Sequence, residues 1–511
     1  MSPATLGRKS LLLSLGTWSG SALGMLISIF IARTLGPAAL GTIGFSTGIV
    51  GLVAAALLPG FGQAHLKRLA EGQDPGRCLG TMLALQLGLH AGLAAVLLAA
   101  WSGEGLFHTR EVGLVFLLML AAQVANNFAD IFLKVFIGRE WIVSHFVIVQ
   151  AARLVRLGAT VAVLWGTPTL PGVAATFVIE GVLSGLLAIA VLAGRHRITL
   201  RPPTRESLRG YWRYARPFLV TTPLALFQDS IDRVLVGRWA GLEAAGYYQV
   251  ARSLWEALSS VMAAPGLMFF TRLSSLYARR SSAGDREARD FFFGALDKLL
   301  FLAIPLAFLF WAFAGSLVGL LYGGAFEPAA TALRILVLAA VVANVINPYT
   351  LVLYALEAGD RFVPVNIVRV IAYLVVLVLV VPVDLAGFRG FWPGAAGAAV
   401  ARLFLVLFPA WVYFRWTREL AGIPLYPRAW IYITGFVLML PAQHGVVGLL
   451  GWAAPRLGRS TDVAAAVVTL AAYLALLRLA HAGTGDNLRY AWSLLSPSGF
   501  VHFLRAGLRE S

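Results

Sequence analysis

The sequence has one cysteine, Cys78, so it forms no intramolecular disulfide and no CxxC pair, and thiolate metal sites and disulfide redox chemistry are excluded. Its eight histidines never fall at HxxxH or HExxH spacing. Charge is scarce, at 13% of residues against about 25% in an ordinary soluble domain. Acids are scarcer still, with 24 Asp+Glu against 41 Lys+Arg. These shortages exclude a soluble globular enzyme. The basic excess is diluted into apolar sequence rather than gathered in a polar domain, which also excludes a disordered or nucleic-acid-binding chain.

What is present is apolar sequence: 59% of the 511 residues are hydrophobic, with a mean hydropathy of +0.79. A bilayer crossing takes about 20 apolar residues, and such runs fill the chain almost end to end. The fold class expected is all-α, a polytopic integral membrane protein. Apolar windows bounded by Gly, Pro or charge predict about 14 transmembrane helices, at 10–32, 38–60, 79–101, 112–136, 141–165, 172–193, 214–237, 246–270, 291–321, 329–356, 362–383, 393–414, 429–451 and 462–480. Arg8 and Lys9 ahead of an apolar run mimic a secretory signal. That run continues to about Ala32 with no small-x-small cleavage site, so it reads as the first span.

Cytoplasmic loops carry the Lys/Arg excess in helical membrane proteins. With both termini inside, 27 of the 41 cations fall on inner loops and ends, six on the outer side and eight within spans. The largest basic stretch, Arg195 to Arg216 with Pro202 and Pro203, reads as a linker between two halves. The organisation expected is therefore an N-terminal six-helix bundle at 1–194, a basic cytoplasmic linker at 195–213 and a C-terminal six-helix bundle at 214–416. Two additional transmembrane helices at 417–480 and a cytoplasmic amphipathic tail at 481–511 follow. Residues 271–290 read as an amphipathic segment lying on the inner leaflet.

The halves repeat one another weakly. Ile31-Ala32-Arg33-Thr34-Leu35-Gly36 through Gly41 and Val236-Gly237-Arg238-Trp239-Ala240-Gly241 through Gly246 share Arg33/Arg238, Gly36/Gly241, Ala39/Ala244 and Gly41/Gly246, all at one offset. Pro171-Gly172 and Pro393-Gly394 pair at a second offset, each opening a helix. Six spans per half is even, so both halves keep one orientation, as in parallel transporter repeats with a substrate site between them.

The stretch Asp232-Arg233 through Gly237, Gly241, Gly246, Tyr247 and Tyr248, with Arg33, Gly36 and Gly41, resembles the polysaccharide transporter family of lipid-linked oligosaccharide (O-antigen, Wzx-like) flippases. That family sits in the multidrug/oligosaccharidyl-lipid/polysaccharide (MOP) exporter superfamily. The resemblance implies paired helical bundles, alternating access and no enzymatic activity. It also implies movement of an undecaprenyl-diphosphate-linked oligosaccharide across the bacterial cytoplasmic membrane. The partners implied are that polyprenyl diphosphate cargo, membrane lipids and other polysaccharide-assembly proteins. No cofactor is implied beyond an H+ or Na+ coupling ion.

A charge at the centre of a span costs about 2.5–3.5 kcal/mol on insertion scales, so each needs a partner, a cavity or an end position. The polar residues fall in stripes at helical spacing: Gln123, Asn127, Asp130, Lys134; Gln150, Arg153, Arg156, Thr160; Asp229, Asp232, Arg233; Gln249, Arg252, Ser253, Glu256; Asn366, Arg369, Tyr373. A diphosphate is best held by arginine forks, and Arg153, Arg156, Arg252, Arg369 and Arg402 are the candidates for it. Asp130, Glu180, Asp229, Asp232 and Glu256 are the acids placed to couple an ion or gate the path. Several have plainer readings. Arg252 with Glu256 and Asp229 with Arg233 are i,i+4 pairs that neutralise each other, Arg369 is near enough to the inner end to snorkel, and Arg402 is placed to bridge Glu180, its repeat counterpart. Arg153 and Arg156 have no acid on their own helix.

Two other functions fit less well. A MATE-type drug/cation antiporter or a lipid II flippase shares the superfamily, but five arginines repel cationic cargo, and the first span carries no charge. A membrane glycosyltransferase needs large outer loops, and the longest expected here, near Trp101 to Glu111, has about ten residues.

Overall fold

The computed structural model describes residues 3–57, 60–100, 109–216, 218–263, 273, 276–277, 282–356, 361–385, 387–453 and 460–479. The expected tail at 481–511, most of the expected outer loop and much of the 271–290 segment lie outside the described residues, as do the side chains of Arg8 and Lys9. Among the described residues every long element is helical, and ten segments are long and apolar enough to cross a membrane. Among the described residues, each of the fourteen expected windows falls mostly on helix.

The first two windows form α1 (Pro3–Leu57), which is interrupted at Gly36 by a backbone of φ 81°, ψ −175°. An unbroken 55-residue helix would run about 80 Å, far beyond a 30 Å hydrocarbon core. The left-handed φ at Gly36 costs glycine little, and Pro37 starts the next helical stretch with no amide left to satisfy. The repeat partner Gly241 also has a positive φ, 91°, between α8 (Phe218–Trp239) and α9 (Leu242–Ala263). The second repeat agrees in place but not in backbone. Gly172 lies in the first turn of α6 (Leu170–Gly194), whereas Gly394, at φ 81°, precedes α14 (Ala395–Leu407).

The chain divides into two compact units. One holds Thr5–Val250 with Leu377–Ala398; the other holds Ala251–Val376 with the described residues from Ala399 on. In the first unit the two glycine motifs pack on each other. A Cβ on Gly41 would lie 1.7 Å from the Leu242 carbonyl oxygen, and one on Gly246 would lie 2.1 Å from the Pro37 carbonyl oxygen. Pro37 and Leu242 occupy matching repeat positions, as do Gly41 and Gly246, so the contact is self-complementary in the manner of a two-fold interface. Gly44, Gly48 and Gly51 continue the same face of α1 against Gln249, Arg233 and Ser230.

The basic linker is more ordered than its composition implies. Within it α7 (Arg205–Ala215) is started by a capping box between Thr204 and Ser207, and Tyr211 and Ala215 are buried in the first unit's core. Arg201 donates its backbone N–H to Gly76 O at 3.1 Å, tying the preceding strap to α3 (Pro75–Ala100). The short α2 (Phe61–Ala70) completes this layer with His65, which is fully buried. Its Nε2 faces the Ile131 carbonyl at 3.1 Å and its Nδ1 the Tyr211 hydroxyl at 2.9 Å. A carbonyl only accepts, so the neutral ring carries its proton on Nε2. Burial lowers the His65 pKa to about 4, with the Lys134 charge acting in the same direction. The unfolded chain therefore takes up a proton between pH 6.5 and 4 that the folded unit refuses. Stability is full above pH 6.5 and falls by about 3 kcal/mol as pH drops to 4. Thermal melts across that range should show the slope, and His65→Gln should flatten it.

In the second unit α10 (Ser282–Ala312) packs on α12 (Ala329–Ala355) and on α16 (Ala429–Ala453), which packs in turn on α17 (Ser460–Leu479). Buried Asp297 of α10 accepts hydrogen bonds from Tyr426 at 2.7 Å and Tyr432 at 2.9 Å. The last two helices are thus joined to this unit through a buried polar contact.

Candidate functional site

Five helices of the first unit line an open cavity of about 540 Å³, and three of them carry polar residues on the cavity face at one- to two-turn spacing. Gly62 and Gln63 of α2 line it, with Asn126, Asn127, Asp130 and Lys134 of α4 (Arg110–Gly138), and His145 and Arg153 of α5 (Ile142–Gly166). Glu180 and Ser184 of α6 and Thr222 of α8 complete the polar lining. The volume lies within the range of small-ligand pockets.

Small residues set the helix spacing that builds it. A Cβ on Gly181 would stand 2.9 Å from Ala125 Cβ, so α6 lies close against α4, and Glu180 is carried to the cavity wall. The hydroxyls of Thr160 and Thr176 hydrogen-bond at 3.1 Å between α5 and α6. One turn away, the Glu180 carboxylate receives both α5 arginines. Arg156 Nη1 donates to Oε2 at 2.7 Å, and Arg153 Nε lies 3.7 Å from Oε1. The acid that Arg153 and Arg156 lack on their own helix thus comes from the adjacent one. Arg156 also lies over the Phe177 ring, 3.5 Å from its centroid. Arg153 reaches α1, where Nη1 donates to Gly16 O at 3.1 Å, and Gly20 leaves room for the guanidinium, since a Cβ there would sit 1.9 Å from Nη1. On α4 Lys134 pairs with Asp130, as their i,i+4 spacing implies.

The other candidates are placed as follows. Asp232, in the repeat motif, is fully buried. Its Oδ2 accepts from the Tyr248 hydroxyl at 2.7 Å and its Oδ1 from the Arg233 backbone N–H at 2.8 Å. Arg233 Nη2 donates to the Asp229 carbonyl at 3.1 Å and Nη1 to Thr47 at 3.4 Å. This group braces α8 against α1 and α9. In the second unit Arg252 Nε pairs with Glu256 Oε1 at 2.6 Å, the arginine side chain almost fully buried and the glutamate half exposed. Arg402 is buried over the Trp255 ring, 5.4 Å from its centroid, and Arg369 lies in the electrostatic reach of Tyr354, Tyr413 and Arg402.

Of the five arginines, Arg153 and Arg156 therefore converge on one carboxylate in the first unit, and Arg252, Arg369 and Arg402 belong to the second. Gln63, His145 and Thr222 were not among the sequence candidates, because none falls in the charged stripes at helical spacing that singled out the others. The buried Asp297 was also missed, its charge masked in the sequence by the adjacent Lys298.

The fold is that of MOP superfamily transporters. The lipid II flippase MurJ, in an inward closed conformation, superposes with a TM-score of 0.68 at 12% identity, over 92% of this chain and 98% of that one. An inward-facing multidrug resistance MATE family transporter gives 0.58 at 17% identity, over 83% and 95%. A MOP superfamily transporter from Pyrococcus furiosus gives 0.53 at 15% identity, over 83% and 96%. Among curated proteins none matches this chain in sequence. The family model described as polysaccharide biosynthesis protein matches residues 6–272, and with its membrane-spanning helices and transporter fold the chain belongs to that family.

Proposed function

We propose that the protein is a flippase that moves an undecaprenyl-diphosphate-linked oligosaccharide, an O-antigen or exopolysaccharide repeat unit, from the inner to the outer leaflet of the bacterial cytoplasmic membrane. The observation that carries this reading is the polar cavity of the first unit, where Arg153 meets amide, hydroxyl and imidazole groups inside an otherwise apolar bundle of a polysaccharide biosynthesis protein. A guanidinium suits the diphosphate, the neutral polar groups suit sugar hydroxyls, and the polyprenyl chain stays in lipid. Arg156, Arg252, Arg369 and Arg402 are the further candidate cations for the diphosphate, and Asp130, Glu180, Asp229, Asp232 and Glu256 are the acids available for H+ or Na+ coupling. Alternating access runs between the six-helix halves 1–194 and 214–416, with both termini in the cytoplasm. The inner-loop excess of arginine supports this orientation.

Deleting the gene is expected to trap the lipid-linked glycan on the inner leaflet and abolish its surface display. Display that persists in the deletion strain while dye efflux falls would instead assign the protein to the drug-exporting branch.

A further inference from the structure

The charges lining the cavity do not leave it ready for an anion. Asp130 takes Lys134, and Glu180 takes Arg156 through Oε2 and Arg153 through Oε1. Each of the two cations that line the space already has an acid beside it, so an entering anion must compete for them. The contacts on Glu180 are unequal. The Arg156 contact at 2.7 Å is a short charge-assisted hydrogen bond, held by the Phe177 ring, and that side chain is 14% exposed. The Arg153 contact at 3.7 Å lies beyond hydrogen-bond range, and that side chain is 32% exposed on the cavity wall.

We infer that Glu180 is a displaceable internal anion, which occupies Arg153 while the cavity is empty and yields it to a phosphate- or diphosphate-bearing ligand while Arg156 keeps the carboxylate anchored. The inference rests on the flippase reading above and gives the two arginines separate tasks: Arg153 holds the cargo, and Arg156 holds Glu180 in place. A diphosphate offers more charge and more acceptor oxygens than the carboxylate it replaces, so it wins Arg153 where a singly charged anion does not. Glu180 thereby acts as a positioning residue that filters ligands by charge. Once Arg153 turns to the ligand, Glu180 keeps its short contact to Arg156, so the carboxylate stays anchored while the cargo is bound.

The full chain in detergent should be titrated at pH 8 with undecaprenyl diphosphate and with inorganic pyrophosphate, and pyrophosphate is expected to compete for the lipid's site. Glu180→Gln should bind pyrophosphate several-fold more tightly than wild type, a gain that mere structural damage does not produce. Glu180→Asp, which draws the carboxylate back from Arg153 but keeps its charge, should also tighten binding, and it decides the matter if Glu180→Gln does not fold. Unchanged or weaker affinity in these Glu180 variants overturns the role of Glu180 while Arg153→Ala still fails to bind. Undiminished binding by Arg153→Ala overturns the assignment of the cavity to the diphosphate as well, as does a failure of pyrophosphate to compete.

Discussion

Replacing Gly41 by Leu is expected to remove most of the folded protein, read as loss of the monodisperse peak on size exclusion and of a cooperative thermal transition. The first side-chain carbon would lie 1.7 Å from the Leu242 carbonyl oxygen and 2.8 Å from the Gly246 nitrogen, both backbone atoms that no rotamer change can move. Overpacking in a core that can adjust costs about 1–3 kcal/mol, and a clash with a rigid helix start should exceed that. Gly246→Leu meets the Pro37 carbonyl in the reciprocal position and should fail similarly. Because the two positions share one crossing, the double variant should cost less than the sum of the two singles. Gly24→Ala, with no atom within 4 Å of the added carbon, should fold as wild type does.

The same contact shows how far the sequence carried the fold. Span positions follow from long apolar runs, whose period and length are local properties. The repeat was visible as matching glycines, and the shared positive φ at Gly36 and Gly241 gives it a physical cause, since only glycine takes such a φ cheaply. That the two motifs face each other is a tertiary fact, which no local pattern contains. The basic stretch from Arg195 was read as a linker because its charges dominate its composition, yet two residues, Tyr211 and Ala215, suffice to seat α7 on the core. The candidate site divides in the same way. The stripes on α4 and α5 were legible from spacing, and the pairing of Arg252 with Glu256 from its i,i+4 offset. The partner of Arg153 and Arg156 was not, because Glu180 is 24 residues beyond Arg156 and reaches it only through the packing of α6 against α5.

Arg153→Ala is expected to reduce glycan display at least tenfold in a complementation assay, with protein level and melting temperature close to wild type. A tenfold loss corresponds to about 1.4 kcal/mol, no more than one charge-assisted contact to a phosphate supplies. Stability should change little, because the Arg153 side chain is a third exposed and Glu180 retains its shorter bond to Arg156. Arg156→Ala should behave differently. It removes the 2.7 Å bond and the contact over Phe177, leaving Glu180 with the longer Arg153 contact alone, so melting temperature and display should fall together. Arg153→Lys separates charge from shape. A lysine preserves the positive charge but not the planar fork, so display intermediate between wild type and Arg153→Ala is the result expected if bidentate recognition of a diphosphate is the role of this side chain. Full display by Arg153→Lys would show that charge alone suffices there, and full display by Arg153→Ala would remove Arg153 from the transport path.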